Sequence, residues 1–250
     1  MTPPNVMQTN CQLKNLTILY QDEYMVAIHK PAGLLVHRSP IDKHETQFAV
    51  QITRDLIDRK VFPIHRLDKA TSGLLIFALD SITARSLSDQ FMNHTISKTY
   101  QAICRGWVDE SGYIDHALKY KVDKVAEKLK REQLEPKSAQ TAYQCLSKTT
   151  IDHPIGRYKQ QRYSLVELKP KTGRKHQLRR HMNHIIHPII GDVRYGDRHH
   201  NHFFNEWLCQ HRLYLAATKL EFIHPHTSEP ITIEAPLEDS FSYAIEKLNF

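Results

Sequence analysis

Short segments rich in β-branched and aromatic residues recur along most of the chain, and many alternate between apolar and polar positions. The first two, LTILY and YMVAIHK, are separated by three residues, which is a gap of hairpin length. Period-two alternation is typical of antiparallel strands with one exposed face. The strand-like segments are 16–20, 24–30, 33–37, 61–65, 73–79, 100–108, 112–118, 139–146, 162–169, 213–223 and 231–237.

Helix-like patterns are fewer. Apolar residues spaced by three or four positions predict helices over 46–57, 81–94, 172–186 and 240–248. The second of these begins at Ser81, a residue type that caps helices. Strands that alternate only loosely with a few helices predict an α+β fold, with a mixed, mainly antiparallel sheet flanked by helices.

A charged segment at 119–138 carries neither pattern strongly. Its oppositely charged pairs four residues apart suit a solvated helix. We interpret the segment as a polar surface excursion, and an arm that grips RNA is the alternative.

The chain has 250 residues, of which 40% are hydrophobic, enough to bury a core. Its net charge of +7 favours a polyanionic partner, either nucleic acid or an anionic membrane surface. No apolar run reaches the roughly 18 residues that a membrane span needs. Residues 1–15 resemble no signal or transit peptide. We therefore predict a flexible tail at 1–15 and a single domain at 16–250.

The four cysteines lie far apart, and no Cys-x-x-Cys occurs. Isolated thiols fit a reducing compartment better than a disulfide scaffold, which predicts a cytoplasmic protein. The glycines never form Gly-x-Gly, and no P-loop motif is present, which argues against a nucleotide cofactor.

Seventeen histidines raise the possibility of a metal. One group lies in a helix-like segment (His176, His181, His184 and His187), and another lies in a predicted loop (His199, His200 and His202). The first group lacks the His-Glu-x-x-His arrangement of a zinc helix. We predict no metal and no cofactor, and a metal-dependent nuclease is a weaker alternative.

Two basic stretches, HRLDK at 65–69 and KPKTGRKHQLRRH at 169–181, are candidates for phosphate contact. A strand followed by a Thr-Gly turn and a helix start would present backbone N–H groups and cations together. A solvated helix face is the alternative for the second stretch. The predicted RNA-binding residues are Lys69, Lys171, Arg174, Lys175 and Arg180.

Asp68 stands between Arg66 and Lys69 in this otherwise cationic setting. A neighbouring arginine favours an ionised carboxylate, which can act as a nucleophile without a separate base. The residues alone leave two interpretations open, a structural Asp–Arg pair and a catalytic carboxylate.

Four motifs, in order, resemble the RluA family of pseudouridine synthases. HRLDKATSGLLIFA (65–78) resembles the family signature, and VAIHKPAGLLVH (26–37) resembles its opening Lys-Pro-x-Gly motif. KTYQAICRG (98–106) and PKTGRKHQLRRHMNHIIHPIIGDVRYG (170–196) resemble its later motifs. The resemblance covers about residues 16–237, and it implies a pseudouridine synthase fold with the active-site cleft across the sheet.

The resemblance also implies roles for individual residues. Asp68 matches the catalytic aspartate, and Arg66 matches the arginine that fills the space left by the flipped uridine. Tyr100 matches the tyrosine that lies against the target base. Leu178 matches an apolar residue that lines the pocket, and Arg179 matches the arginine that pairs with the aspartate. The implied reaction converts uridine to pseudouridine in RNA, an isomerisation that needs no redox partner, nucleotide or metal.

Within the family the chain is most similar to members that act on uridine 65 of tRNA, and no S4-type module precedes the first motif. We therefore expect tRNA as the partner and a monomeric enzyme. A synthase acting on ribosomal RNA and a non-catalytic RNA-binding or folding factor are the alternatives. The sequence departs from the family where Leu215-Ala216-Ala217 replaces the frequent Leu-His-Ala.

Overall fold

The computed structural model describes residues 16–38, 44–119 and 135–250. The strands are β1 (Thr17–Gln21), β2 (Met25–Lys30), β3 (Phe62–Pro63), β4 (Ser72–Ala78), β5 (Ser97–Arg105), β6 (Ser111–Asp115), β7 (Gln140–Ile151), β8 (Gln161–Pro170), β9 (Leu215–Ile223) and β10 (Pro230–Glu234). The helices are α1 (Ala49–Ile57), α2 (Ser81–Met92), α3 (Gln177–His184), α4 (Arg198–Leu208) and α5 (Asp239–Lys247). The predicted α+β class is confirmed.

The described strands form one sheet in the order β1-β2-β4-β9-β5-β8-β7-β6, with β3 paired to β4 and β10 paired to β9. Strands β4 and β9 are parallel, and the other recorded pairs are antiparallel. A mixed, mainly antiparallel sheet was predicted from the alternation, and this is confirmed.

The parallel seam between β4 and β9 brings backbones unusually close. Gly73 lies opposite Ala217, and its φ is +105°. A Cβ at this position would collide with the carbonyl oxygen of Ala217, so the close approach requires glycine. The seam fixes the start of β4, and therefore the position of the loop that precedes it.

Alternate residues of β4 pack on opposite faces of the sheet. Leu75 and Phe77 join a buried cluster with Leu67, against which the ring of Tyr100 packs. Leu74 and Ile76 join a different cluster, which contains Leu87 of α2. Helix α2 therefore lies on the sheet face opposite to Leu67 and Tyr100.

Helix α3 packs through Leu178 and Met182 against Ala102 and Cys104 of β5. Helices α4 and α5 cover a separate cluster that contains Phe204, Phe241 and the buried Tyr163. The loop between β3 and β4, the start of β5 and helix α3 thus meet around Tyr100, which packs against the first and third of these clusters.

Helix α4 was not predicted, because His199, His200 and His202 were interpreted as lying in a loop. This interpretation is wrong. Asp197 caps the helix by accepting hydrogen bonds from the backbone N–H groups of His199 (2.9 Å) and His200 (3.4 Å). The cap and the buried aromatic face that follows stabilise the helix despite the modest helix propensity of histidine.

Two local predictions also need correction. Residues 33–37 do not form a strand, and the segment has a single bridge between Leu35 and Phe48. The cap of α2 is Asp80 rather than Ser81, since the Asp80 carboxylate accepts from the N–H groups of Ile82 and Thr83 at 2.8 Å each. A carboxylate one residue earlier satisfies the first N–H groups of the helix.

Two further predictions concern residues outside those that the structure describes. They are the tail at 1–15 and most of the charged segment at 119–138. Across the described ranges, no helix is both long enough and apolar enough to cross a bilayer.

Candidate active site

Asp68 lies in the loop between β3 and β4, where its side chain is 28% exposed. The loop turns sharply, because the N–H of Thr71 donates to the carbonyl oxygen of Asp68 at 3.0 Å. Leu67 points into the core, and Arg66 is exposed to solvent. The loop thus anchors itself through an apolar side chain and presents a carboxylate and a guanidinium to the outside.

The opening motif of the chain holds this loop in place. Lys30 is fully buried, and its Nζ donates to the carbonyl oxygens of Pro31 (2.8 Å), Leu34 (2.9 Å) and Lys69 (3.2 Å). The N–H of Gly33 donates to the same carbonyl of Lys69 at 2.8 Å. Two donors from the 30–34 turn therefore converge on the residue directly after Asp68.

The environment of Lys30 also lowers the pKa of its ammonium group. Burial lowers the pKa of Lys30 to about 7, against the opposing effect of the carboxylates of Glu238 and Asp68. The residue serves as a buried donor to backbone carbonyl groups.

Arg179 connects Asp68 to a second carboxylate. Its Nη1 donates to Asp68 Oδ2 at 3.0 Å. Its Nε and Nη2 donate to the two carboxylate oxygens of Asp192 at 2.7 Å each. The side chains of Arg179 and Asp192 are 8% and 1% exposed, so this bidentate pair is a buried one.

The charges in this group stabilise one another. Burial alone would raise the pKa of Asp192, but the hydrogen bonds and charge of Arg179 outweigh burial and lower it. Burial would likewise lower the pKa of Arg179, and the two carboxylates raise it instead. Arg179 and Asp192 are therefore both charged at neutral pH, and Arg179 is directed at Asp68 from a fixed position.

Tyr100 lies on β5, half-buried between the clusters around Leu67 and Leu178. Burial raises the pKa of its hydroxyl, and the negative charge of Asp68 raises it further. The phenol therefore stays protonated at neutral pH, and its ring offers a flat apolar surface beside the carboxylate. Leu178, 7% exposed, adjoins Arg179 on α3 and packs in the cluster that also contacts Tyr100.

The structure thus brings together Asp68, Tyr100, Leu178 and Arg179, and it places Arg66 in the same loop. The pair of Asp68 and Arg179 joins residues 111 positions apart in sequence.

Two residues received no role in this site from the sequence alone. Asp192 was quoted within the segment 170–196 without a role, and His176 was considered only as a possible metal ligand. His176 has a φ of +54°, and its Nε2 lies 3.8 Å from Asp68 Oδ1. Its Nδ1 lies 3.1 Å from the hydroxyl of Tyr195. Burial lowers the pKa of His176, which favours a neutral imidazole next to the Asp68 carboxylate.

The predicted RNA-binding residues lie in two places. Lys69 is on the Asp68 loop and pairs with Glu45 at 2.8 Å. Lys171, Arg174, Lys175 and Arg180 surround the start of α3. Arg174 Nε donates to the Ser138 carbonyl, and Arg180 Nη1 donates to the Lys119 carbonyl, at 3.0 Å each.

Within the described residues, no group of three or more His, Cys, Asp and Glu side chains is arranged to hold a metal ion. His181, from the cluster considered as a metal site, has another role. Its ring nitrogens bond to Thr141 Oγ1 at 2.9 Å and to the carbonyl oxygen of His116 at 3.1 Å. It connects α3 to the sheet.

Comparison with known proteins identifies the family. Residues 24–184 match the family model described as RNA pseudouridylate synthase. A protein of Vibrio parahaemolyticus named tRNA pseudouridine synthase C is 51% identical, over 90% of this chain and 92% of its own length. A protein of Haemophilus ducreyi with the same name is 52% identical, over 90% and 93% of the two chains.

Solved structures agree on the fold. The structure titled human RNA pseudouridylate synthase domain containing 4 has a TM-score of 0.68 and 26% identity over 93% of each chain. The structure titled human RNA pseudouridylate synthase domain containing 1 has a TM-score of 0.67, with 23% identity over 100% of this chain and 98% of its own. The predicted fold and the predicted family are confirmed: the chain belongs to the RNA pseudouridylate synthase family.

Proposed function

We propose that this protein is a tRNA pseudouridine synthase that isomerises uridine 65, with Asp68 as the catalytic carboxylate. One observation carries the proposal. The Asp68 carboxylate, 28% exposed, lies 3.0 Å from the buried guanidinium of Arg179, in a chain about half identical to proteins named tRNA pseudouridine synthase C. The charge and position of Asp68 suit attack on a nucleoside from the open side of the loop.

Access to the target requires base flipping. A uridine inside a stem must leave the stack before its glycosidic bond can be reached, at a cost of a few kcal/mol. Arg66, exposed on the same loop as Asp68, fills the space that the uridine leaves. Tyr100 and Leu178 receive the flipped base against an apolar wall.

The chemistry then proceeds at Asp68. The N1–C1′ bond breaks, the base turns, and a C5–C1′ bond forms. The C5 proton is lost and N1 gains a proton, so the reaction is balanced without an oxidant or a cofactor. Two routes use the same carboxylate: addition of Asp68 to a carbon of the nucleoside, or removal of a ribose proton by Asp68 to form a glycal. In both routes Arg179 orients the carboxylate through its hydrogen bond to Asp68 Oδ2.

We further propose that Lys69, Lys171, Arg174, Lys175 and Arg180 contact phosphate groups of the tRNA. These side chains lie on the Asp68 loop and around the start of α3, next to Arg179. A single catalytic domain at 16–250 acts as a monomer in the cytoplasm, where its tRNA substrate is found.

Incubation of the purified protein with unmodified tRNA transcripts tests the activity. Pseudouridine has the mass of uridine, so the product is mapped by carbodiimide labelling and primer extension. We expect one new stop, at uridine 65, and none with Asp68→Asn. An unchanged map with the wild-type protein would contradict the proposal. In a parallel incubation with unmodified ribosomal RNA transcripts, a stop found there and not in tRNA would favour the ribosomal alternative.

A non-catalytic RNA-binding or folding factor would use the same basic surface. Complementation of a strain that lacks this protein distinguishes such a factor from a synthase. We expect a strain that carries only the Asp68→Asn variant to keep an unmodified uridine 65 in its tRNA. Full rescue of every phenotype by this variant would assign the function to binding rather than to chemistry.

A further inference from the structure

A cavity of about 210 Å³ lies beside α3, and most of the described residues that line it are basic. Its walls carry six basic side chains, and no carboxylate is among the described residues that line it. The six are Lys119, Lys137, Arg174, Lys175, Arg180 and Arg194. Sequence reasoning singled out three of them as RNA contacts, whereas the fold adds Lys119, Lys137 and Arg194.

Backbone hydrogen bonds bring these segments together. Leu118 and Lys137 exchange two such bonds, of 2.9 and 3.1 Å, which sets Lys119 next to Lys137. Arg180 Nη1 then donates to the carbonyl oxygen of Lys119 at 3.0 Å. The cavity is therefore built where the chain leaves and re-enters the sheet region on either side of residues 120–134.

Two of the guanidinium groups are oriented by the protein backbone. Arg174 and Arg180 are half-buried, and each uses one N–H to donate to a carbonyl oxygen at 3.0 Å. A guanidinium has five N–H donors in a fixed plane, so each of these bonds fixes the orientation of the remaining donors. Basic side chains that surround one concavity give it a positive potential, which favours an anion at that place.

The cavity lies close to Asp68. Tyr195 lines the cavity, and its hydroxyl lies 3.1 Å from His176 Nδ1. His176 in turn lies 3.8 Å from Asp68. The charges of Lys175 and Arg194 reach this histidine: burial is the main cause that lowers the pKa of His176, and both cations lower it further. Two side chains therefore separate the cavity from Asp68.

We propose that this cavity binds a backbone phosphate of the RNA close to the target uridine, with Arg194, Lys119 and Lys137 as ligands in addition to Arg174, Lys175 and Arg180. The proposal rests on the proposed function, because it takes RNA as the substrate. A phosphate at a fixed place next to Asp68 would set which nucleotide reaches the carboxylate.

The test uses the full-length protein and a hairpin transcript of the target stem. Arg194→Met and Lys137→Met each remove one cation from the cavity. Arg85→Met is the matched control, because Arg85 is exposed on α2, on the opposite face of the sheet. Binding is measured at several salt concentrations. Isomerisation is measured under multiple and single turnover.

We expect each cavity variant to weaken binding and to raise KM by about tenfold, the effect of losing one hydrogen bond to a charged group. The slope of log affinity against log salt should become shallower by about one unit. The single-turnover rate with saturating enzyme should stay within about threefold of wild type. Effects no larger than those of Arg85→Met would overturn the proposal.

A phosphate scan identifies the contact. A series of hairpins carries one neutral methylphosphonate each, at successive positions around the target. We expect wild-type binding to weaken at one or two positions, and Arg194→Met to lose less affinity than wild type from the substitution at those same positions. An equal loss in wild type and variant at every position would exclude a phosphate in this cavity.

The phosphate scan and the isomerisation assay together distinguish failure of the phosphate site from failure of the proposed function. If the wild-type protein isomerises no uridine but the scan gives the expected pattern, the phosphate site stands and the proposed function fails. If isomerisation is normal and the scan shows no dependence on Arg194 or Lys137, the proposed function stands and the phosphate site is excluded.

Discussion

Asp192 accepts two hydrogen bonds of 2.7 Å from Arg179, and this pairing leaves Nη1 of Arg179 directed at Asp68. Asp68 is therefore oriented, through Arg179, by a carboxylate that is itself buried. Breaking a buried pair on one side is costly, since it leaves a charge without its partner in a poorly solvated place.

We predict that Asp192→Asn lowers kcat while KM for RNA changes little, and that it reduces the free energy of unfolding by about 3 kcal/mol. The amide replaces one acceptor oxygen with a donor that faces a guanidinium. Single-turnover kinetics and urea denaturation measure the two effects.

Asp197→Asn is the control for this change. Asp197 pairs with Arg105 at 2.8 Å, but both side chains are more exposed, and an asparagine still caps α4. We expect a loss of unfolding free energy of no more than about 1 kcal/mol. Equal destabilisation by the two variants would contradict the assignment of Asp192 as the buried partner of Arg179.

Arg66 offers a prediction about base flipping. Arg66→Ala should lower kcat/KM on a paired uridine by about 10- to 100-fold, because nothing then fills the vacated stack. On a hairpin whose target uridine is mismatched, flipping costs less, so the defect should shrink. Kinetics on the two hairpins measure the ratio, and the same defect on both would assign Arg66 to another step.

We predict that the imidazole of His65 makes the free energy of unfolding fall in acid. Its Nε2 accepts the N–H of Ile76 at 3.1 Å, and burial lowers its pKa to about 3, with a further contribution from Lys98. Between the unfolded value of about 6.5 and this folded value, the unfolded state binds more protons. The free energy of unfolding should therefore fall as pH drops from about 6.5 towards 3, by about 1 kcal/mol per pH unit from this group.

His65→Gln isolates the effect, because a glutamine oxygen can accept the same N–H without titrating. We expect a shallower dependence of unfolding free energy on pH over this range, measured by urea denaturation at several pH values. The surface residue His199, changed to Gln, serves as the control. An unaltered pH slope in His65→Gln would show that other groups cause the acid sensitivity.

Gly73 and Gly156 form a pair for testing the parallel seam. Both have positive φ, +105° and +59°, but only Gly73 faces a neighbouring backbone where a Cβ would sit. Gly156→Ala should cost about 1 kcal/mol of unfolding free energy, for backbone strain alone. Gly73→Ala adds a collision with Ala217, and we expect about 3 kcal/mol or more. Denaturation midpoints compare the two, and equal shifts would mean that the seam can widen.

The sequence predicted the sheet well because short segments rich in β-branched and apolar residues mark most strands, and the alternation is kept in the outer strands β6, β7 and β10. It failed at α4, where Asp197 and buried aromatic side chains decide the structure and histidine propensity does not. It also predicted a strand at 33–37, where an apolar segment instead packs as an irregular turn.

For the site, the motifs located Asp68 and Arg179, but only the fold shows what holds them. Asp192 and His176 lie within the same motif as Arg179. Their contacts depend on a turn after α3 and on a positive φ at His176, and neither follows from periodicity. The cationic cavity depends on pairing between Leu118 and Lys137, which flank a segment that carries no clear pattern.

The two donors of the 30–34 turn that meet at the carbonyl of Lys69 have a consequence for substrate binding. They restrain the main chain next to Asp68, so the proposed catalytic group is held in place before a substrate arrives. If the protein binds RNA as proposed, affinity gained on association is not consumed in ordering this loop, and it remains available to distort the nucleic acid. Preorganisation of the loop would then leave the conformational change to the substrate.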